Sequence, residues 1–143
     1  MNEIRKILVG VDGSEGSLSA LRWALDEARL RHDVVDVIHT WHVTYYPDAT
    51  GMASCPDDVL RESAAAVLAD VMAAVAADIG EVSVTSHVEQ GPGAQTLIDA
   101  SHSADLLVVG RRGHGGFLSL VMGSVAQQVA AHAHCPVVVV AGH

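Results

Sequence analysis

Three short runs of aliphatic residues with no polar residue among them constrain this chain most: Ile7-Leu8-Val9-Gly10-Val11, Leu106-Leu107-Val108-Val109 and Val137-Val138-Val139-Val140. A strand with one wet face alternates apolar and polar residues, so an unbroken apolar run marks a strand covered on both faces. Val34–Trp41, rich in β-branched residues, and residues 82–88, which alternate, complete a set of five strands. Helical periodicity fills the spaces between them. In Glu15–Arg31 the apolar Leu18, Leu21, Ala24, Leu25 and Ala28 recur at three- and four-residue spacing. An Ala-rich helix is expected over residues 56–78, with Pro56 at its first helical position and Asp57 and Asp58 at the positive end of its dipole. A short helix over residues 94–102 and a last one over Ser124–His132, closed off by Pro136, complete the pattern. Residues 42–55 are polar, with Gly and Pro, and are expected to be the least ordered loop. The order β-α-β-α-β-α-β-α-β predicts an open, parallel, five-stranded α/β sheet with helices on both faces.

Composition narrows what such a sheet is for. The 143 residues are enough for one domain, expected over 1–143, and 50% apolar content excludes a disordered chain. A formal charge of −9, from eight Lys and Arg against 17 Asp and Glu, argues against a nucleic-acid face, as does an aromatic content of 3%. Cys55 and Cys135 lie far apart without a CxxC pair, which predicts ordinary thiols in a reducing cytoplasm. The N-terminal residues lack the apolar core of a signal peptide, and no apolar run reaches the roughly 18–20 residues that span a bilayer. No membrane partner is expected.

Open α/β sheets bind ligands beyond the carboxyl ends of their strands, where the strand order reverses. The loops after the first and fourth strands are therefore the places to look. The fourth strand leads into Gly110-Arg111-Arg112-Gly113-His114-Gly115-Gly116, and nine residues separate Gly113 from Gly123-Ser124-Val125, which open the last helix. Glycines let backbone N–H groups curl around an anion, and a helix N-terminus adds its positive dipole end. Ser124 fits either an N-cap or a hydroxyl directed at phosphate or at Mg²⁺. Glycines with a Ser cap also occur at strand-to-helix turns that bind nothing. No Walker loop is present, because GxxxxGK[ST] is absent and Lys6 is the only lysine, and Gly10-Val11-Asp12-Gly13-Ser14-Glu15-Gly16 lacks the spacing of GxGxxG.

On these residues the chain resembles the universal stress protein family. Ile7-Leu8-Val9-Gly10-Val11-Asp12-Gly13-Ser14 is similar to the family's opening, and Gly110-x-x-Gly113, nine residues, Gly123-Ser124 is the pattern of its ATP-binding branch. The resemblance covers essentially the whole chain and implies a Rossmann-like, adenine nucleotide alpha hydrolase-like fold. It implies that Asp12 contacts the nucleoside, that Gly10 and Val11 line the same crevice, and that the backbone of Thr40 meets the adenine edge. It places Gly110, Gly113, Gly123, Ser124 and Val125 at ribose and phosphate, with Arg112 and His114 in variable loop positions. Arg112 suits either a phosphate contact or an exposed loop position. The implied ligand is ATP, with Mg²⁺ held through it and by Asp12 or Ser124, although AMP and cyclic nucleotides leave the same trace. The implied role is nucleotide-dependent signalling in the stress response rather than fast catalysis; a slow ATPase or phosphate-transfer enzyme and a protein-interaction module are the alternatives.

The resemblance also implies a homodimer paired through Val137, Val138, Val139 and Val140, and an exposed apolar edge strand would otherwise be an aggregation hazard. Asp12 is equally suited to an Asx-turn before Gly13, which a ligand contact does not preclude. His39 with His42 and His132 with His134 lack the spacing of a helical metal pair, so no metal held by protein side chains is expected. Strand alternation puts His39 and Trp41 on one face and Thr40 on the other. Neither Ser14 nor Ser124 has a His and Asp arrangement for hydrolysis, and no catalytic residue is assigned.

Overall fold

A computed structural model describes residues 4–43, 45–113 and 122–142. β1 (Lys6–Gly10) is the centre of a five-stranded sheet whose order is β5-β2-β1-β6-β7. It pairs in parallel with β2 (Val34–Trp41) on one side and β6 (Leu106–Gly110) on the other. β5 (Val84–Gln90) extends the sheet beyond β2, and β7 (Val137–Val140) extends it beyond β6, both in parallel. The chain thus builds outward in one direction through β1, β2 and β5, and then returns to the far side of β1. That reversal opens a crevice between β1 and β6.

The runs in β1 and β6 are buried on both faces, as their lack of alternation requires, whereas Val137–Val140, on the edge strand β7, are only half-buried. Ile7, Val9, Val35, Val37 and Val108 point to one side, where α1 (Glu15–Arg31) and α2 (Asp57–Ala74) cover them through Leu21, Leu25, Leu68 and Val71. Leu8, Ile38, Leu107 and Val109 point to the other, under α4 (Gly93–Ala100) and α5 (Ser124–His132), which contribute Leu97, Ile98, Ala126 and Val129. Helix α1 starts where Ser14 accepts a hydrogen bond from Ser17 N–H at 3.2 Å, and it ends at His32 in the left-handed region with φ 60°. An N-cap of this kind satisfies one of the orphan donors of the first turn.

Several boundaries differ from the sequence reading. Residues 42–55 are not merely a loop: β3 (Tyr45–Asp48) and β4 (Gly51–Ser54) form an antiparallel hairpin separate from the main sheet. Its turn is held by Asp48 Oδ1, which accepts from both Thr50 N–H (2.8 Å) and Thr50 Oγ1 (2.7 Å). Pro56 is the residue before α2 rather than its first helical residue, and the expected long helix breaks at Val75, followed by the single turn α3 (Ala76–Ile79). Helix α4 stops at Ala100 and continues as a 3₁₀ turn, Ser101–Ser103. Gly123 rather than Ser124 takes the cap position of α5, so Ser124 is already helical.

Candidate nucleotide-binding cleft

At the carboxyl ends of β1 and β6 a cleft of about 210 Å³ opens between the sheet, α4 and the N-terminus of α5. Space on this scale exceeds what a few ordered waters occupy and admits a small organic ligand. Four separate chain segments build it. The turn after β1 supplies Gly10, Val11 and Asp12, and the end of β2 supplies Thr40. The loop after β6 supplies Gly110, Arg112 and Gly113, and the start of α5 supplies Gly123, Ser124 and Val125. Every site residue expected from sequence therefore lies on one cleft, except His114, which falls outside the described residues.

The turn after β1 is shaped by short polar side chains. Asp12 Oδ1 accepts from Ser14 N–H at 2.9 Å, an Asx-turn, while Asp12 N–H reaches Ser17 Oγ at 3.3 Å. Ser17 Oγ itself donates to the Ser14 carbonyl at 3.0 Å. These bonds fix the carboxylate at the crevice, so the turn and a place on the cleft coexist at Asp12. Val11 is tied across to β2, its N–H donating to the Ile38 carbonyl at 3.0 Å.

The glycines are explained by close approach. A Cβ at Gly113 would land on Asp12 Oδ2, so the loop after β6 reaches the turn after β1 only because residue 113 has no side chain. A Cβ at Gly110 would stand 2.7 Å from the carbonyl oxygen of Gly16, at the first turn of α1. A Cβ at Gly10 would meet Leu97 Cδ1 at 2.5 Å, so Gly10 makes room for α4. The loop is closed by Gly123 N–H, which donates to the Arg111 carbonyl at 2.7 Å. Among the described residues no side chain caps α5, so the orphan N–H groups at its start face the cleft beside Ser124.

The opposite end of the cleft is of another character. Ile38, Thr40 and Leu97 line it with Gly93, where a Cβ would come within 3.4 Å of Thr40 Oγ1. Thr40 points to the cleft, whereas the next residue, Trp41, lies under the Arg61 guanidinium of α2, 5.6 Å from the ring centroid. Sequence reasoning did not assign Ser14, Ser17, Ile38, Gly93, Leu97, Val109, Arg111 or Ala126 to the cleft. For Gly93, a glycine entering a helix just after a strand was a usable signal. Arg111 was legible too, since strand alternation from Val109 sends it to the α5 face.

Two of the histidines considered for a metal, His39 and His134, have other partners. His39 Nδ1 lies 2.8 Å from the Val11 carbonyl. His134 stacks on His102, with centroids 3.5 Å apart, at the amino ends of β6 and β7, away from the cleft. Among the described residues no three His, Cys, Asp or Glu side chains gather as a metal site, and no helix is long and apolar enough to cross a membrane.

Fold and cleft together define an open, parallel α/β domain with its crevice at the reversal of strand order. The chain matches the universal stress protein family over residues 3–141, and it belongs to that family. A universal stress protein of Mycobacterium tuberculosis is 34% identical over 141 residues, which cover 95% of this chain and 48% of that protein. The chain thus spans about half the length of the curated relatives it matches. Among solved structures, the universal stress protein UspA from Lactobacillus plantarum superposes with a TM-score of 0.79 at 23% identity, covering 97% of this chain and 99% of that one. A universal stress protein in complex with cAMP gives 0.73 at 24%, covering 97% and 98%. One from Arabidopsis thaliana with AMP bound gives 0.66 at 20%, covering 97% and 92%. At these identities the likeness is one of fold.

Proposed function

We propose that residues 1–143 form one ATP-binding domain of a homodimeric, cytoplasmic universal stress protein that signals nucleotide state rather than turning substrate over rapidly. The observation that carries this reading is the convergence of Asp12, Thr40, Gly113 and Ser124, from four segments, on one cleft with the uncapped start of α5 at its end. Backbone N–H groups at a helix N-terminus suit phosphate, and the Ile38, Thr40 and Leu97 end suits a flat, mostly apolar base. Family members of the same fold carry cAMP and AMP, which supports an adenine nucleotide as the ligand class. When bound, Mg²⁺ would share the phosphate charge, with the Ser124 hydroxyl and the Asp12 carboxylate as the oxygen donors suited to hold it.

The dimer reading is supported by β7, an edge strand of four half-buried valines that pairs only with β6 among the described strands. Isologous pairing with a second copy would cover that edge. Free Cys55 and Cys135 accord with a reducing compartment.

Denaturing freshly purified protein and analysing the supernatant by mass spectrometry tests the ligand. ATP is the expected release. ADP or AMP would favour turnover, and a protein that neither releases nor binds an adenine nucleotide would leave an interaction module. Sedimentation equilibrium should return twice the 14.9 kDa of one chain, and a concentration-independent monomer would remove the dimer.

A further inference from the structure

Arg111 directly follows β6, and two backbone hydrogen bonds fix its place. Its N–H donates to the Val140 carbonyl at 2.9 Å, and its carbonyl accepts from Gly123 N–H at 2.7 Å. Gly110 is turned toward α1, where a Cβ would strike Gly16. Alternation sends the next side chain the other way, to the side on which Val109 packs under α5. Arg111 accordingly lines the cleft beside Gly123, Ser124 and Val125.

Its Nε is buried and has no hydrogen-bond partner among the described residues. A buried donor left unpaired is costly, and a guanidinium cannot escape that cost by losing its proton. Nε and one terminal nitrogen form one edge of the guanidinium fork, the edge that pairs with two oxygens of a phosphate. A bidentate anion reaching that edge would supply the acceptor that Nε lacks. Arg111 stands beside the uncapped start of the nine-residue helix α5, which favours negative charge independently of it. Asp12 brings a carboxylate to the same cleft, so an entering anion has a charge to overcome that neutral backbone donors answer only in part.

We infer that Arg111 selects the ligand by phosphate charge, so that the cleft takes a linear nucleotide ending in a terminal phosphate, such as the phosphomonoester of AMP, over a cyclic phosphodiester. The inference rests on the nucleotide reading above and names the residue that sets its specificity. A terminal phosphomonoester carries roughly −1.5 to −2 at pH 7, whereas a cyclic diester carries a single negative charge and no terminal group. The fork gains most from the former.

Titration calorimetry of the full chain with adenosine, AMP, ATP and 3′,5′-cyclic AMP tests this, with a nucleotide-free melting curve recorded for each variant. The wild-type chain should bind AMP and ATP at least roughly tenfold more tightly than cyclic AMP, the range of one charged hydrogen-bonded pair. In Arg111→Gln the ratio should fall to near one with cyclic AMP affinity little changed, and Arg111→Lys, which keeps charge without the fork, should lie between. Equal wild-type affinity for AMP and cyclic AMP overturns the inference even if the variants do not fold. An unaltered ratio in a folded Arg111→Gln also overturns it, while leaving nucleotide binding intact. If the wild-type chain binds no adenine compound, the nucleotide reading falls and this one falls with it.

Discussion

Gly113 and Asp12 touch across the crevice so closely that residue 113 has room for a hydrogen and nothing more. A side chain there must push either the carboxylate or the loop. Gly113→Val is therefore expected to weaken ATP binding by at least roughly tenfold, with far-UV circular dichroism unaltered because no regular element depends on the contact. Gly110→Ala should behave in the opposite way. Its Cβ would press on backbone at Gly16, 2.7 Å from the carbonyl oxygen, which cannot swing aside as a side chain would. The expected cost is about 1–3 kcal/mol of stability, measured by urea unfolding. Wild-type ATP affinity in Gly113→Val would separate that glycine from the site.

Asp12 has two separable jobs. Asp12→Asn keeps an oxygen to accept from Ser14 N–H and should retain the turn, whereas Asp12→Ala should lose about 1 kcal/mol, as a lost cap-type hydrogen bond does. Both replacements should alter nucleotide affinity. If Asp12→Asn proves as unstable as Asp12→Ala in thermal melts, the turn depends on the charge rather than on the acceptor.

Gly10 and Leu97 are coupled by packing. A Cβ at Gly10 meets Leu97 Cδ1 at 2.5 Å, and Leu97 is only 4% exposed, so its side chain has little freedom to retreat. Gly10→Ala should cost about 1–3 kcal/mol. Combined with Leu97→Val, part of that loss should return as a coupling energy of at least about 0.5 kcal/mol. Strict additivity in denaturant unfolding would mean that β1 shifts instead of α4.

The Cys135 thiol is raised above its usual range, first by burial and then by the negative charge of Asp105. The thiolate is the reactive form, so alkylation by iodoacetamide should become rapid only at a higher pH than for free cysteine. Asp105→Asn removes the second cause and should speed the reaction at pH 8.5, while keeping an oxygen for the Lys6 N–H bond. Unchanged kinetics would show that burial alone controls this thiol.

The sheet was readable because Ile7 to Val9 and Leu107 to Val109 are buried on both faces, and a short unbroken aliphatic run between turn residues favours a covered strand. From that topology followed the crevice, and the glycine spacing with the family resemblance pointed to residues that line it. Local geometry was less legible. Tyr45 to Ser54 lack an alternating pattern and include Pro47, so their pairing into a hairpin left no periodic signal. Whether Gly123 or Ser124 caps α5 turns on backbone angles, since both residue types suit the position. The break at Val75 falls in an Ala-rich stretch with no glycine or proline to mark it.

The reversal of strand order has a temporal consequence. Asp12 and Gly113 are roughly a hundred positions apart in the chain, yet they meet in one crevice. As a ribosome delivers the chain from its N-terminus, β1, β2 and β5 emerge with only the first half of the pocket. The second half arrives with β6 and α5, after most of the sheet has had time to form. On the proposed nucleotide reading, ligand capture would report completed folding: a nascent or clipped chain that stops short of residue 106 lacks the β6 and α5 walls of the cleft, however well β1, β2 and β5 have paired.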